Sequence, residues 1–236
     1  MPVSRKPIPP EERLIVALDV PGYEEALSLV DRLGDAVAFY KLGLELSASG
    51  RYFDLVDELA RRGKRVFADL KLFDIPATVA AAVRQLAKRD ITFLTIHGNE
   101  AMIRAACAEK GALKLLAVTV LTSIDEDDFR DLGVEVAIEP LVLSRARRAV
   151  ALGCDGVIAS GVEARVLREA VGDSFLIVSP GIRPLERADD QRRVVTPRQA
   201  FESGADYIVV GRPIREAVDQ RAAALAIQAT IVELFQ

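Results

Sequence analysis

The chain is poor in the residues that staple a fold or hold a metal. Its 236 residues include two cysteines, Cys107 and Cys154, and a single histidine, His97. Two cysteines build neither a disulfide framework nor a paired CxxC zinc site, so a reducing cytoplasm is the expected compartment. One imidazole, with no second histidine and no Ser or Cys nucleophile motif nearby, points to a structural residue rather than a metal ligand or triad base. Long apolar runs are missing, which excludes a bilayer span and predicts a soluble protein. Residues 1–10 are rich in proline and carry Arg5 and Lys6, but they lack the apolar core of an export signal. Charge of one sign is missing as well. The formal net charge is −4 with the signs interspersed, so there is no basic footprint for nucleic acid. No GxGxxG turn follows the first strand-like run, which weakens a dinucleotide-binding reading.

Hydrophobic residues are plentiful, at 50% of the chain, enough for a sizeable core. They fall into short β-rich runs at 14–20, 38–46, 65–72, 91–97, 115–122, 156–160, 175–179 and 207–211. Helical stretches separate them at 24–33, 52–62, 77–88, 101–109, 140–152, 163–170 and 197–202, and a longer helix over 214–234 closes the chain. Ser123-Ile124-Asp125-Glu126 has capping-box spacing and predicts a short extra helix after the fifth strand. Strict alternation of strand and helix implies a parallel sheet with right-handed crossovers. Eight repeats in this length favour an α/β fold closed as a single (β/α)₈ TIM barrel over an open sheet. The expected organisation is a loose arm over 1–12 and one barrel over 13–236.

In such barrels functional groups gather where strands end. Those ends hold Asp19, Lys41, Asp69 with Lys71, His97, Thr122, Ser160, the Ser179-Pro180-Gly181 turn and Gly211-Arg212. Asp69 and Lys71 are two apart in a strand and share a face, and buried charges of this kind are costly unless paired. Alone, Asp19 reads equally as a turn cap beside Pro21-Gly22, and Lys41 as a lysine reaching for water. Together with Asp69 and Lys71 they suggest an alternating charge network. Asp74 reads equally as a helix N-cap ahead of Pro76, and Thr78 as a first-turn residue. Gly211, Arg212 and Pro213 favour an anion at the end of the eighth strand, with Gly181 and Arg183 as a second close-approach turn. The long polar segment from Arg183 to Thr196, which includes Gln191, reads as a lid or binding loop, or else as disorder.

The segment Asp69-Leu70-Lys71-Leu72-Phe73-Asp74-Ile75-Pro76-Ala77-Thr78 resembles the signature of orotidine 5′-monophosphate decarboxylases. So do Leu18-Asp19, Lys41-Leu42-Gly43, Thr119 to Ser123, Ser179 to Pro184, Asp190 to Arg193 and Val210-Gly211-Arg212. The ordered set runs from about Leu14 to the last helix and is similar to the bacterial branch. The resemblance implies decarboxylation of orotidine 5′-monophosphate to uridine 5′-monophosphate, the final step of UMP synthesis, without metal or other cofactor. It implies that Lys71 protonates C6, that Asp69 sits against the substrate carboxylate, and that Lys41 and Asp74 complete the charged set. Asp19 and Lys41 would contact the ribose and Thr122 the pyrimidine side. Arg183, Gln191, Gly211 and Arg212 would hold the phosphate. The segment Asp69 to Thr78 as a whole would contact substrate, with Asp74 and Thr78 reaching a neighbouring subunit's site, hence an active homodimer. Ala77 stands where many relatives carry Asn. The nearest rivals, magnesium-using sugar-phosphate decarboxylases and synthases of the same barrel, usually carry Glu where this chain has Lys41. A non-catalytic phosphate-binding barrel is the rival of another class.

Overall fold

The computed structural model describes residues 3–236 except 125, 132, 134, 136 and 184–194. Eight parallel strands close on themselves in sequence order: β1 (Leu14–Ala17), β2 (Phe39–Leu42), β3 (Arg65–Leu72), β4 (Phe93–Ile96), β5 (Lys114–Val118), β6 (Gly156–Ile158), β7 (Leu176–Ser179) and β8 (Tyr207–Val210). The seam is β1 against β8, with Ile15 opposite Val209. The expected TIM barrel is therefore present. Most strands are short and mainly apolar because helices cover their outer side and the barrel interior their inner one; β3 is the exception, eight residues long with Arg65, Asp69 and Lys71.

The helices follow the predicted order: α1 (Tyr23–Leu33), α2 (Leu44–Ala48), α3 (Tyr52–Arg61), α4 (Pro76–Leu86), α5 (Glu100–Glu109), α6 (Glu126–Asp131), α7 (Ile138–Ala151), α8 (Ala164–Val171), α9 (Pro197–Glu202), α10 (Arg212–Arg215) and α11 (Gln220–Phe235). Several expected bounds need correction, among them the strand expected over 115–122, which ends at Val118. The strand expected over 38–46 ends at Leu42, because Gly43 turns the chain and Leu44 starts α2. The single closing helix over 214–234 is two helices, because Asp219 is extended and its side chain accepts from the Ala222 N–H as a fresh N-cap. The extra helix expected after the fifth strand is α6.

Two apolar layers result. Outward-facing strand residues pack against the helices, while Ile15, Phe39, Phe67, Phe93, Leu116, Val178 and Tyr207 fill the barrel. Their rings meet edge to face or tilted, with Phe93 5.1 Å from Phe39 and 5.0 Å from Tyr207. Below this plug, Asp206 is fully buried and bound to Arg168 at 2.6 Å. Ser4 and Lys6, from the stretch read as a loose arm, reach the same carboxylate at 2.5 and 3.0 Å. Buried Arg13 donates to the carbonyls of Asp206 and Lys6 and lies over the Phe235 ring.

Candidate active site

The site follows from the period-two rhythm of the strands. Phe39, Phe67 and Phe93 point into the barrel, so Lys41, Asp69 and Thr95, two residues further along β2, β3 and β4, do the same one layer higher. An aromatic floor thus carries a polar layer at the C-terminal mouth. The same step places Asp19 above Ala17 and Gly211 above Val209.

The charges alternate along this layer. Lys41 Nζ lies 2.9 Å from Asp19 Oδ1 and 3.4 Å from Asp69 Oδ2, and Lys71 Nζ lies 2.9 Å from Asp69 Oδ1. Burial works against the Lys41 ammonium, yet Asp69 and Asp19 outweigh it and raise its pKa above the ordinary lysine value. Burial likewise works against the Asp69 carboxylate, and Lys41, Lys71 and the hydrogen bonds from Lys71 and Thr95 outweigh that, leaving its pKa below the ordinary range. Both groups are thereby kept ionised at neutral pH.

Lys71 departs from the pleat. Its φ is 49°, the only positive value at a non-glycine among the described residues. Four steps along β3, from Ala68 to Leu72, match two along β4, from Leu94 to Ile96, so β3 bulges across its active segment.

These groups open into a cavity of about 500 Å³. Asp19, Lys41, Asp69, Lys71, Thr122, Arg183, Gly211 and Arg212 all line it. The backbone of Arg183 is held where Val195 returns: Arg183 N–H donates to the Val195 carbonyl and Val195 N–H to that of Gly181. Gly181 has a φ of 77°, so glycine suits that turn. Arg215, which the sequence reading passed over, also lines the cavity and donates to the Asp19 carbonyl. It lies three residues after Arg212, one helical turn on, and that spacing is the signal for it. The apolar wall, Ala17, Phe67, Val118, Val120, Ile158 and Val209, was also passed over. Its signal is strand alternation below the polar ends.

The remaining candidates lie elsewhere. Leu70 and Leu72 pack toward the outer core, and Pro76 opens α4. Phe73, Asp74, Ile75, Ala77 and Thr78 face outward and do not line the cavity. Asp74 accepts from the Ile75 N–H, and Ile75 rather than Asp74 is the N-cap of α4. His97 is half-buried with its ring edge-on to Phe73, and burial, Arg145 and Lys71 push its pKa below the ordinary value. Gln191 and most of the loop read as a lid lie outside the described residues. Among the described residues no three His, Cys, Asp or Glu side chains gather as a metal site, and no helix is long and apolar enough to cross a membrane.

Comparison with known proteins gives the family and agrees with the barrel fold. Over 235 residues the chain is 57% identical to an orotidine 5′-phosphate decarboxylase of Methylococcus capsulatus, covering 99% of this chain and 97% of that one. One from Xanthomonas oryzae pv. oryzae is also 57% identical, with 98% and 97% covered. The crystal structure of orotidine 5′-phosphate decarboxylase from Lactobacillus acidophilus superposes with a TM-score of 0.83 at 40% identity, covering 93% of this chain and 99% of that one. A sequence profile matches residues 12–227, and the chain belongs to the orotidine 5′-phosphate decarboxylase / HUMPS family.

Proposed function

We propose that this protein decarboxylates orotidine 5′-monophosphate to uridine 5′-monophosphate in pyrimidine biosynthesis, without a cofactor and with Lys71 as the proton donor. The observation that carries the reading is the alternating row Asp19, Lys41, Asp69 and Lys71, which lines one cavity together with Arg183 and Arg212. In the reaction the bond between C6 and the carboxyl carbon breaks and carbon dioxide leaves. The electron pair stays on C6, takes a proton from Lys71 Nζ, and the amine regains a proton from water. The carbanion has no neighbouring electron sink, so it needs fixed positive charge. A lysine held by Asp69 is already oriented, and it favours charge developing at C6 more than it favours the ground state. The Asp69 carboxylate, kept ionised, repels a substrate carboxylate placed beside it and has no quarrel with neutral carbon dioxide.

Arg183 and Arg212, with the bare backbone of Gly211, suit the phosphate, and Asp19 and Lys41 suit the ribose hydroxyls. Thr122 serves the pyrimidine edge. We read Asp74 and Thr78 as contributions to a neighbouring subunit in a homodimer. The support is their outward position beside Phe73 and Ile75, which are 75% and 66% exposed. Apolar side chains exposed so far beside a catalytic strand suit a partner surface. The low cysteine count, with Cys107 and Cys154 as thiols that share a hydrogen bond at 3.9 Å, suits a cytoplasmic, reducing location.

The test is loss of ultraviolet absorbance of orotidine 5′-monophosphate, run with and without a chelator. Turnover unaffected by the chelator is expected, and a magnesium requirement would overturn the assignment. Lys71→Ala should lower kcat by roughly 10³-fold, the range of general acid catalysis, while uridine 5′-monophosphate binding survives. Unchanged turnover in that variant removes Lys71 from the role of acid.

A further inference from the structure

We propose that Thr95, on β4, is a positioning residue for this reaction: its hydroxyl holds Asp69 and the backbone of Lys71 in their working geometry. The inference rests on the decarboxylase reading above and names a residue that neither the motif nor the cavity lining includes.

Thr95 is fully buried. Its Oγ1 donates to Asp69 Oδ1 at 2.9 Å and accepts from the Lys71 N–H at 2.9 Å. The direction of each bond is forced. A backbone N–H only donates and a carboxylate only accepts, so one hydroxyl serves both ends. The need for it comes from the bulge. With four steps of β3 set against two of β4, the ladder skips the Lys71 N–H, and a buried amide left alone is costly. Thr95 replaces the missing rung. A lysine in the left-handed region is strained and persists only where its surroundings hold it. Thr95 also reaches the oxygen of Asp69 that Lys71 Nζ binds, so a relay of two oxygens, Thr95 Oγ1 and Asp69 Oδ1, links the acid's backbone to its ammonium.

Asp69 is faced by Lys41 from β2 and Lys71 on its own strand, with Asp19 behind Lys41, His97 at the end of β4 and the Tyr52 hydroxyl on α3. Of the uncharged hydroxyls in this group, Thr95 donates to Asp69 and Tyr52 to the Leu42 carbonyl. Loss of the Thr95 hydroxyl therefore shifts Asp69 while leaving the surrounding charges in number unchanged.

The experiment compares Thr95→Val, which keeps the shape, with Thr95→Ser, which keeps the hydroxyl. Thr95→Val is expected to lower kcat on orotidine 5′-monophosphate about tenfold or more. The acid limb of its kcat/KM profile should move to higher pH, since Asp69 loses a hydrogen bond to its ionised form. Affinity for uridine 5′-monophosphate should change little, because the phosphate end is untouched. Thr95→Ser should stay within about threefold of wild type with its acid limb in place. If Thr95→Val does not fold, Thr95→Ser against Thr95→Cys decides, since the two differ only in oxygen against a weakly bonding sulfur. An active wild type with Thr95→Val at full kcat and an unmoved acid limb overturns the inference alone, as does equal loss in the Ser and Cys variants. A wild type with no turnover overturns the functional reading first.

Discussion

Asp69 and Lys41 each lose hydration at the barrel mouth, and each is answered by charge of the other sign. Their side chains are 13% and 12% exposed, so neither is fully dry and neither is fully screened. Opposite shifts give opposite pH windows. The Asp69 carboxyl is depressed, so its contribution to stability is present above the ordinary value of 3.8 and is lost as pH falls below it toward the lowered one. The Lys41 ammonium is raised, so its contribution is present below 10.5 and is lost as pH rises past it. Lys41→Met should therefore destabilise the protein by about 2 kcal/mol at pH 7, less than for a wholly buried pair because Lys71 still answers Asp69. The gap from wild type should narrow on acidification as Asp69 takes up a proton. Melting curves from pH 8 down to about 2 test this, and a gap that stays constant below 3.8 would contradict it.

At the scale of elements, β3 and β6 show how much the sequence made legible. The alternation Phe67, Asp69 and the β-rich runs were enough to place the strands, the order of helices and the charged mouth. They were not enough to place Lys71, because a bulge depends on the register of β4, which no local pattern states. The same limit hid Thr95, an unremarked threonine between Leu94 and Ile96. It hid the start of α2 at Leu44 too, where apolar bulk continues across a change of backbone direction. Gly156 of β6 is a case where packing alone explains the residue. A Cβ there would lie 2.5 Å from the Leu176 carbonyl oxygen and 2.9 Å from Leu116 Cδ2. Gly156→Ala should cost about 2 kcal/mol through overpacking between β5 and β7. In a domain of this size that lowers Tm by roughly 4–8 °C. Circular dichroism melting checks it, and an unchanged Tm would mean the strands part without cost.

At the scale of the molecule, the open question is whether one barrel completes its own site. Asp74 stands apart from the Asp19–Lys71 row and faces outward with Phe73 and Ile75. If the protein works as a dimer that exchanges Asp74, equal mixing of Lys71→Ala and Asp74→Asn subunits leaves half the dimers mixed, each with one intact site. Random pairing in a two-fold dimer then restores about a quarter of wild-type activity from two inactive parents. Reassembly after mild denaturation, followed by the absorbance assay, measures this. Failure to regain activity would count against the shared site. The sequence could point to this arrangement only through resemblance, since nothing in the spacing of Asp74 states which chain it serves.

The floor of the barrel has a consequence for how the protein is made. Asp206 gathers Ser4, Lys6 and Arg168, and β8 just beyond it supplies the seam with β1. Synthesis runs from the amino end, so the first strand waits, unpaired on one edge, until its last neighbour has left the ribosome. Until β8 is available, β1 lacks its partner across the seam, and Lys6 and Arg168 lack the carboxylate of Asp206. Closure, and with it the assembled mouth, is necessarily a late event.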